Sequence, residues 1–133
     1  MNSFSLTVYG EPVGQGSMRH IGGGRMIAAN DKELRAWRKA IAAEVEKERE
    51  RQGTFTFEGA VGVEVTFWVS RKKADKDSVH PIRPYDLDKS ARAVNDALSI
   101  NCDLIANDSQ IVELHAWKRF GEPRAEIKVY TVT

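Results

Sequence analysis

Ala60-Val61-Gly62-Val63-Glu64-Val65-Thr66-Phe67-Trp68-Val69-Ser70 is the stretch that decides the fold. Val61, Val63, Val65, Phe67 and Val69 alternate with Glu64, Thr66, Trp68 and Ser70. Successive side chains of an extended chain point to opposite faces, so this is a strand with one apolar face and one mixed face. Such a strand needs sheet partners and a cover for its apolar side.

Upstream, residues 3 to 9 alternate in the same way, with Phe4, Leu6 and Val8 opposed to Ser3, Ser5 and Thr7. A Gly-rich arm and a long helix separate the two strands. The arm, residues 10 to 25, carries Gly10, Gly14, Gly16 and Gly22 to Gly24 beside Arg19, His20 and Arg25. It reads as a mobile loop or hairpin, with a short strand over Met26 to Ala28. It has neither Gly-x-Gly-x-x-Gly nor the Walker pattern, which excludes a nucleotide loop. Asn30 and Glu33 have capping-box spacing. Leu34, Trp37, Ile41 and Val45 then form the apolar stripe of a helix reaching about Gln52, and Gly53 ends it.

Downstream, Arg71 to Pro84 has no periodicity and contains Pro81 and Pro84, so it reads as a long exposed loop. A second helix runs from about Asp88 to Ile100, with Ala91, Val94 and Leu98 buried. A strand from about Gln110 to Phe120 follows, then a hairpin turn at Gly121-Glu122-Pro123 and a last strand through Ala125, Ile127 and Val129. The order β, arm, α, β, loop, α, β, β predicts one α+β domain over residues 1–133. Its mixed sheet of about four strands carries both helices on one face.

Charge and composition narrow the function classes. Net charge is only +1, so nucleic-acid binding must rest on local clustering. Residues 1 to 20 hold no continuous apolar run, which predicts neither signal peptide nor membrane span. Cys102 is the one cysteine, so no internal disulfide forms, and a reducing cytoplasm is expected. It reads as a small, partly buried residue near a helix end. His20, His80 and His115 lack metal-ligand spacing with it. Trp37, Trp68 and Trp117 read as core or interface residues rather than base-stacking platforms.

The chemistry lies in Asp86-Leu87-Asp88 and, twenty residues on, Asp108. Mg²⁺ takes oxygen ligands and usually keeps waters beside one or two carboxylates. Asp86 and Asp88 alternate, so an extended backbone points both to one side. Arg71, Lys72, Lys73, Lys76 and Arg83 lie just upstream, five cations against Asp75 and Asp77. Acids for a metal beside bases for an anion suit phosphodiester cleavage. The loop cations, with Arg19 and Arg25 of the arm and Lys89, are the expected DNA contacts; phosphate contacts position a duplex without reading its sequence. Arg92, one helical turn after Asp88, could face the scissile phosphate or close an Asp88–Arg92–Asp96 ladder. Structural duties are also open to the acids: Asp88 as an N-cap, Asp108 as an Asx turn, Asp86 paired with Arg83.

Asp86-Leu87-Asp88-Lys89, the helix running to Asn95-Asp96-Ala97-Leu98, and Asn107-Asp108-Ser109-Gln110-Ile111-Val112 together resemble the RusA family of Holliday junction resolvases, common in prophages. The continuous likeness covers about Pro84 to Glu113. It implies a RusA-like fold and a homodimer that nicks two strands of a four-way junction symmetrically, in DNA recombination and repair. It also implies that Asp86, Asp88 and Asp108 are catalytic acids binding Mg²⁺, with Mn²⁺ a possible substitute. Arg92 is expected to join the catalytic set as a charge-stabilising cation on its position one helical turn after Asp88. Arg92 stands where the family often has lysine, and Asn107 where it has an acid. Two alternatives are a catalytically weak branched-DNA-binding protein and a small phosphohydrolase acting on nucleotides.

Overall fold

The computed structural model describes residues 2–16, 18–28, 30–83 and 86–133, with the side chains of 18–21 and 25–28 outside the description. Four strands form one sheet: β1 (Ser3–Tyr9), β4 (Val61–Val69), β5 (Ile111–Phe120) and β6 (Arg124–Thr131). A separate hairpin joins β2 (Met18–Gly22) to β3 (Arg25–Ala28), which gives the Gly-rich arm a defined backbone. The long helix α1 spans Asp31–Gln52 and α2 spans Leu87–Asp96. A π-helical turn, Ala97–Asn101, extends α2. Among the described residues no helix is long and apolar enough to cross a membrane.

The sheet order is β1-β6-β4-β5, with β4 and β5 parallel and the other pairs antiparallel. The expected hairpin between the last two strands is therefore corrected. Residues 121 to 123 carry the chain past the end of β4, where the Gly121 amide donates to the Val69 carbonyl at 3.0 Å. The face composition explains this. Ala125, Ile127 and Val129 are all buried, so β6 takes a central place. β5 puts Lys118 in register with buried Phe67 and leaves Val112 and Leu114 exposed, which suits an edge.

Phe4, Leu6 and Val8, with the apolar faces of β4 and β6, meet the α1 stripe Leu34, Trp37, Ile41 and Val45. Ala93, Val94 and Leu98 of the second helical segment complete this core, and Ala91 is buried as expected. Both helices thus cover one face. Asn30 precedes α1 but makes no side-chain cap bond to it. Its amide is drawn to the arm instead, accepting from the Gly16 amide at 2.8 Å and donating to the Gly14 carbonyl at 2.9 Å.

The other face of the sheet is open. There Tyr130 lies over Gly62, where a Cβ would stand 2.1 Å from the ring. The Tyr130 hydroxyl donates to Glu113 at 2.7 Å, and this bond, followed by desolvation, pushes the phenol up to about 12. Folding raises this pKa, so the linked stability is intact below pH 10 and is lost as pH rises through 12. Glu113→Gln is expected to bring the phenol back toward its ordinary range in an ultraviolet absorbance titration. Trp37 is buried as expected, but Trp68 and Trp117 lie on the open face. Trp68 donates to Glu126 at 2.6 Å beneath the Arg124 guanidinium, and His115 stacks on exposed Trp117 at 6.3 Å.

The loop after β4 is exposed over most of its length, as expected, but it is anchored by a buried carboxylate. Asp75 is only 4% exposed and ends a 3-10 turn, Lys73–Asp75. The Lys72 amide donates to its carboxylate at 2.9 Å, and Arg83 pairs with it at 3.6 Å. Arg71 donates to the Asp75 and Ser78 carbonyls, both at 2.8 Å, and stacks on Phe120. One hydrogen bond and one ion pair to the buried carboxylate, with the Arg71 bonds to the backbone, hold the loop together.

Candidate active site

The first turn of α2 presents two of the three acids. Asp86 is the residue before the helix, with extended backbone and no side-chain cap bond. Its carbonyl accepts from the Ser90 amide at 3.0 Å and the Ser90 hydroxyl at 3.2 Å, so the backbone, not the carboxylate, closes this end. Asp86 is exposed, and among the described residues it pairs with Lys89 at 3.9 Å, a long and weak contact. Arg83, the expected partner, is taken by Asp75. Asp88 is exposed within the first helical turn and is not the N-cap.

Asp108 begins a 3-10 turn, Asp108–Gln110, directly before β5. The Asx duty considered for it falls to Asn107, whose side chain accepts from the Ser109 amide at 2.8 Å. Gln110 braces the turn, accepting from the Ala106 and Asn107 amides at 2.8 and 2.9 Å and donating to the Phe57 and Gly59 carbonyls. Asn107 thus has a local structural role. Among the described residues none of the three carboxylates caps a helix or closes a turn.

The three acids do not converge within one chain. Asp108 shares a shallow hollow with Asp96, Ser99 and Asn107, at the end of α2 remote from Asp86 and Asp88. Eight residues separate Asp88 from Asp96, about 12 Å of helix. Burial pushes the Asp96 carboxyl up; Arg38 and Arg92 draw it down, and Asp108 adds a further upward push. Arg92 is exposed and acts on Asp96 rather than closing a ladder through Asp88. Arg38, in the middle of α1 and binding Asn101 at 2.8 Å, had no signal in the sequence that would place it here.

Hard, exposed carboxylate oxygens free of other duties fit Mg²⁺ in chemistry. Yet among the described residues no group of three or more His, Cys, Asp or Glu side chains is close enough to hold a metal ion. The fit within one chain is therefore one of donor type, at the first turn of α2, and not of a closed three-carboxylate set.

The basic residues divide into two kinds. Arg71 and Arg83 spend their guanidinium groups inside the loop. Lys72, Lys73 and Lys76 are exposed on it, and Lys89 is half-exposed at the start of α2. The arm reaches the same end, where the Gln15 amide donates to the Lys89 carbonyl at 3.4 Å. Arg19, Arg25 and His20 lie on the β2–β3 hairpin, with side chains outside the described residues. A hollow between arm, sheet and α2 is lined by Glu11, Glu33, Lys72, Ser90 and Lys118.

Exposed acids at the start of α2 and a lysine-bearing loop put hard oxygen donors beside cations. The sequence family Endodeoxyribonuclease RusA matches residues 10–130, and the chain belongs to that family. It is also 28% identical over 145 residues to "Uncharacterized protein YqaN" of Bacillus subtilis (strain 168), covering 100% of this chain and 99% of that protein.

Proposed function

We propose that this protein is a Mg²⁺-dependent endodeoxyribonuclease that resolves four-way DNA junctions by paired symmetric nicks, as a homodimer, in recombination and repair. The observation that carries this reading is the freedom of Asp86, Asp88 and Asp108. Each is exposed, and each structural duty open to it is performed by another group: the Asp86 backbone, Asn107, and Asp75 with Arg83. Family membership supplies the class of reaction. Mn²⁺ is the expected substitute ion.

Asp86, Asp88 and Asp108 are the proposed metal-holding and catalytic acids. When bound, the ion supplies Lewis-acid stabilisation of the phosphate and a water of lowered pKa. Arg92 stays protonated, so its role is to stabilise negative charge and not to donate a proton. Lys72, Lys73, Lys76 and Lys89 meet DNA phosphates, and Arg19 and Arg25 do so from the arm. Arg71 and Arg83 contribute by holding the loop that presents the lysines.

A labelled four-way junction incubated with Mg²⁺, with Mn²⁺ and with EDTA tests the reading. Paired nicks at symmetric positions with either ion, and none in EDTA, are expected. Binding without cleavage under all three conditions would instead favour a branched-DNA-binding protein. Salt dependence tests the lysines separately. Replacing Lys72, Lys73 and Lys76 together by Ala removes six lysines from a homodimer and is expected to flatten the slope of log affinity against log salt by about 5. Fluorescence anisotropy with a labelled junction reads that slope. An unchanged slope would remove the phosphate role from this loop.

A further inference from the structure

β5 is an edge strand with an unusual surface. Among the described residues no strand pairs with its outer side. It is ten residues long, and three of its large apolar side chains are exposed: Val112 at 58%, Leu114 at 47% and Trp117 at 41%. The opposite edge, β1, is partly covered, because the Gln52 side chain of α1 donates to the Ser5 carbonyl at 3.2 Å. Long open edges that carry apolar side chains template pairing with another chain, and folded proteins usually blunt them.

The order of residues on β5 states which chain fits. Antiparallel pairing of β5 with a second β5, centred on Ala116 and lying beyond the register slip at Val112, sets Glu113 opposite Arg119. A two-fold axis makes this contact twice. The small Ala116 meets its own copy on the axis, where a large side chain would be crowded. Directly opposed residues share a face, so Glu113 and Arg119 meet on the open side. Moving the centre by one residue either way sets Glu113 opposite Trp117 or Gly121 and loses the charge match.

From the open edge and its self-complementary order we infer that β5 is the surface on which a second copy of this chain docks, joining two four-stranded sheets into one of eight strands. The inference deepens the homodimer proposed above and rests on it for the existence of a partner copy. It uses no feature of the metal site.

Sedimentation equilibrium of the full chain, without DNA or metal, reads the association. Arg119→Glu sets like charges opposite each other twice and is expected to weaken the dimer by about tenfold. This substitution leaves the Tyr130–Glu113 bond in place. Adding Glu113→Arg swaps the charges and is expected to restore association. Independently, Ala116→Cys is expected to join to its copy through a short bis-maleimide. The unmodified chain, whose Cys102 is buried, is expected to remain unlinked under the same treatment. Melting curves check that each variant is folded, and the cross-link stands if a charge variant is not. A dimer that ignores Arg119→Glu and does not link through position 116 overturns this surface while leaving the homodimer. A chain that stays monomeric at every concentration overturns both.

Discussion

Asp88→Asn is expected to slow junction cleavage by at least about 100-fold, since losing one carboxylate from a metal-dependent phosphoryl site removes several kcal/mol of transition-state stabilisation. Junction affinity is expected to stay within about twofold of wild type, because in the proposed role of the lysines phosphate contacts carry the binding. The change is isosteric, and Asp88 is exposed and neither caps α2 nor closes a turn. Its structural cost is a weakened charge–dipole interaction at the helix start, a few tenths of a kcal/mol at about the low end of such effects. Loss of cleavage therefore cannot be confused with loss of fold. Single-turnover cleavage, anisotropy binding in Ca²⁺ and a melting curve separate the three quantities. Asp77→Asn, an exposed acid in the basic loop, is the matched control and is expected to cut at the wild-type rate. If Asp88→Asn cuts at that rate too, Asp88 has no part in the chemistry.

The largest expected effect on stability belongs to Arg49. Its guanidinium, 9% exposed, enters a gap between the end of α1 and the chain beyond α2. It donates to the Cys102 carbonyl at 2.8 Å, the Asp103 carbonyl at 3.1 Å and the Phe55 carbonyl at 3.2 Å, and it pairs with Glu46 at 2.6 Å. One side chain thus ties three backbone segments together. Arg49→Met keeps much of the volume but leaves three carbonyls without their donor. Such groups cost about 1 to 3 kcal/mol each when left unpaired and buried. Partial exposure of two of them limits the sum to about 3 to 5 kcal/mol, the range seen when a buried charged network is broken. In a chain of this size that lowers the melting temperature by about 10 to 20 °C. Differential scanning calorimetry reads it directly; a fall of less than about 3 °C, under 1 kcal/mol by the same conversion, would show that water replaces the guanidinium without penalty. Asp103, which has φ of +52°, follows Cys102 on the path to the Asp108 turn, so Arg49 also helps to set where that acid stands.

What could be read from the sequence followed the reach of each signal. Alternation along residues 60 to 70 depends only on side-chain direction, and it assigned the apolar face of β4 correctly. The same alternation in the last two strands assigns faces but not neighbours, so the turn at Gly121 resembled a hairpin although the strands do not pair. Asn30 stood at a helix start with capping spacing, yet its amide serves Gly14 and Gly16, an interaction across the fold that local pattern cannot show. Asp75 was counted as one charge among many in a basic run. Its burial depends on Arg71, Lys72 and Arg83 converging on one turn, and no periodicity marks that. Asp86, Asp88 and Asp108 were legible as acids of the right kind in a recurring setting. Their separation along α2 was not, because a motif records order and not distance.

The internal bonds that hold the Asp75 turn have a consequence for how the loop would meet a polyanion. A cationic segment that is disordered when free must surrender its conformational freedom on binding, and that loss subtracts from the attraction. Here the backbone under Lys72, Lys73 and Lys76 is already fixed by bonds internal to the loop. For lysines that engage phosphates, only side-chain freedom remains to be lost at the encounter. Recognition through this loop would then be a collision of preset surfaces, quick to form, rather than a folding event carried out on the DNA.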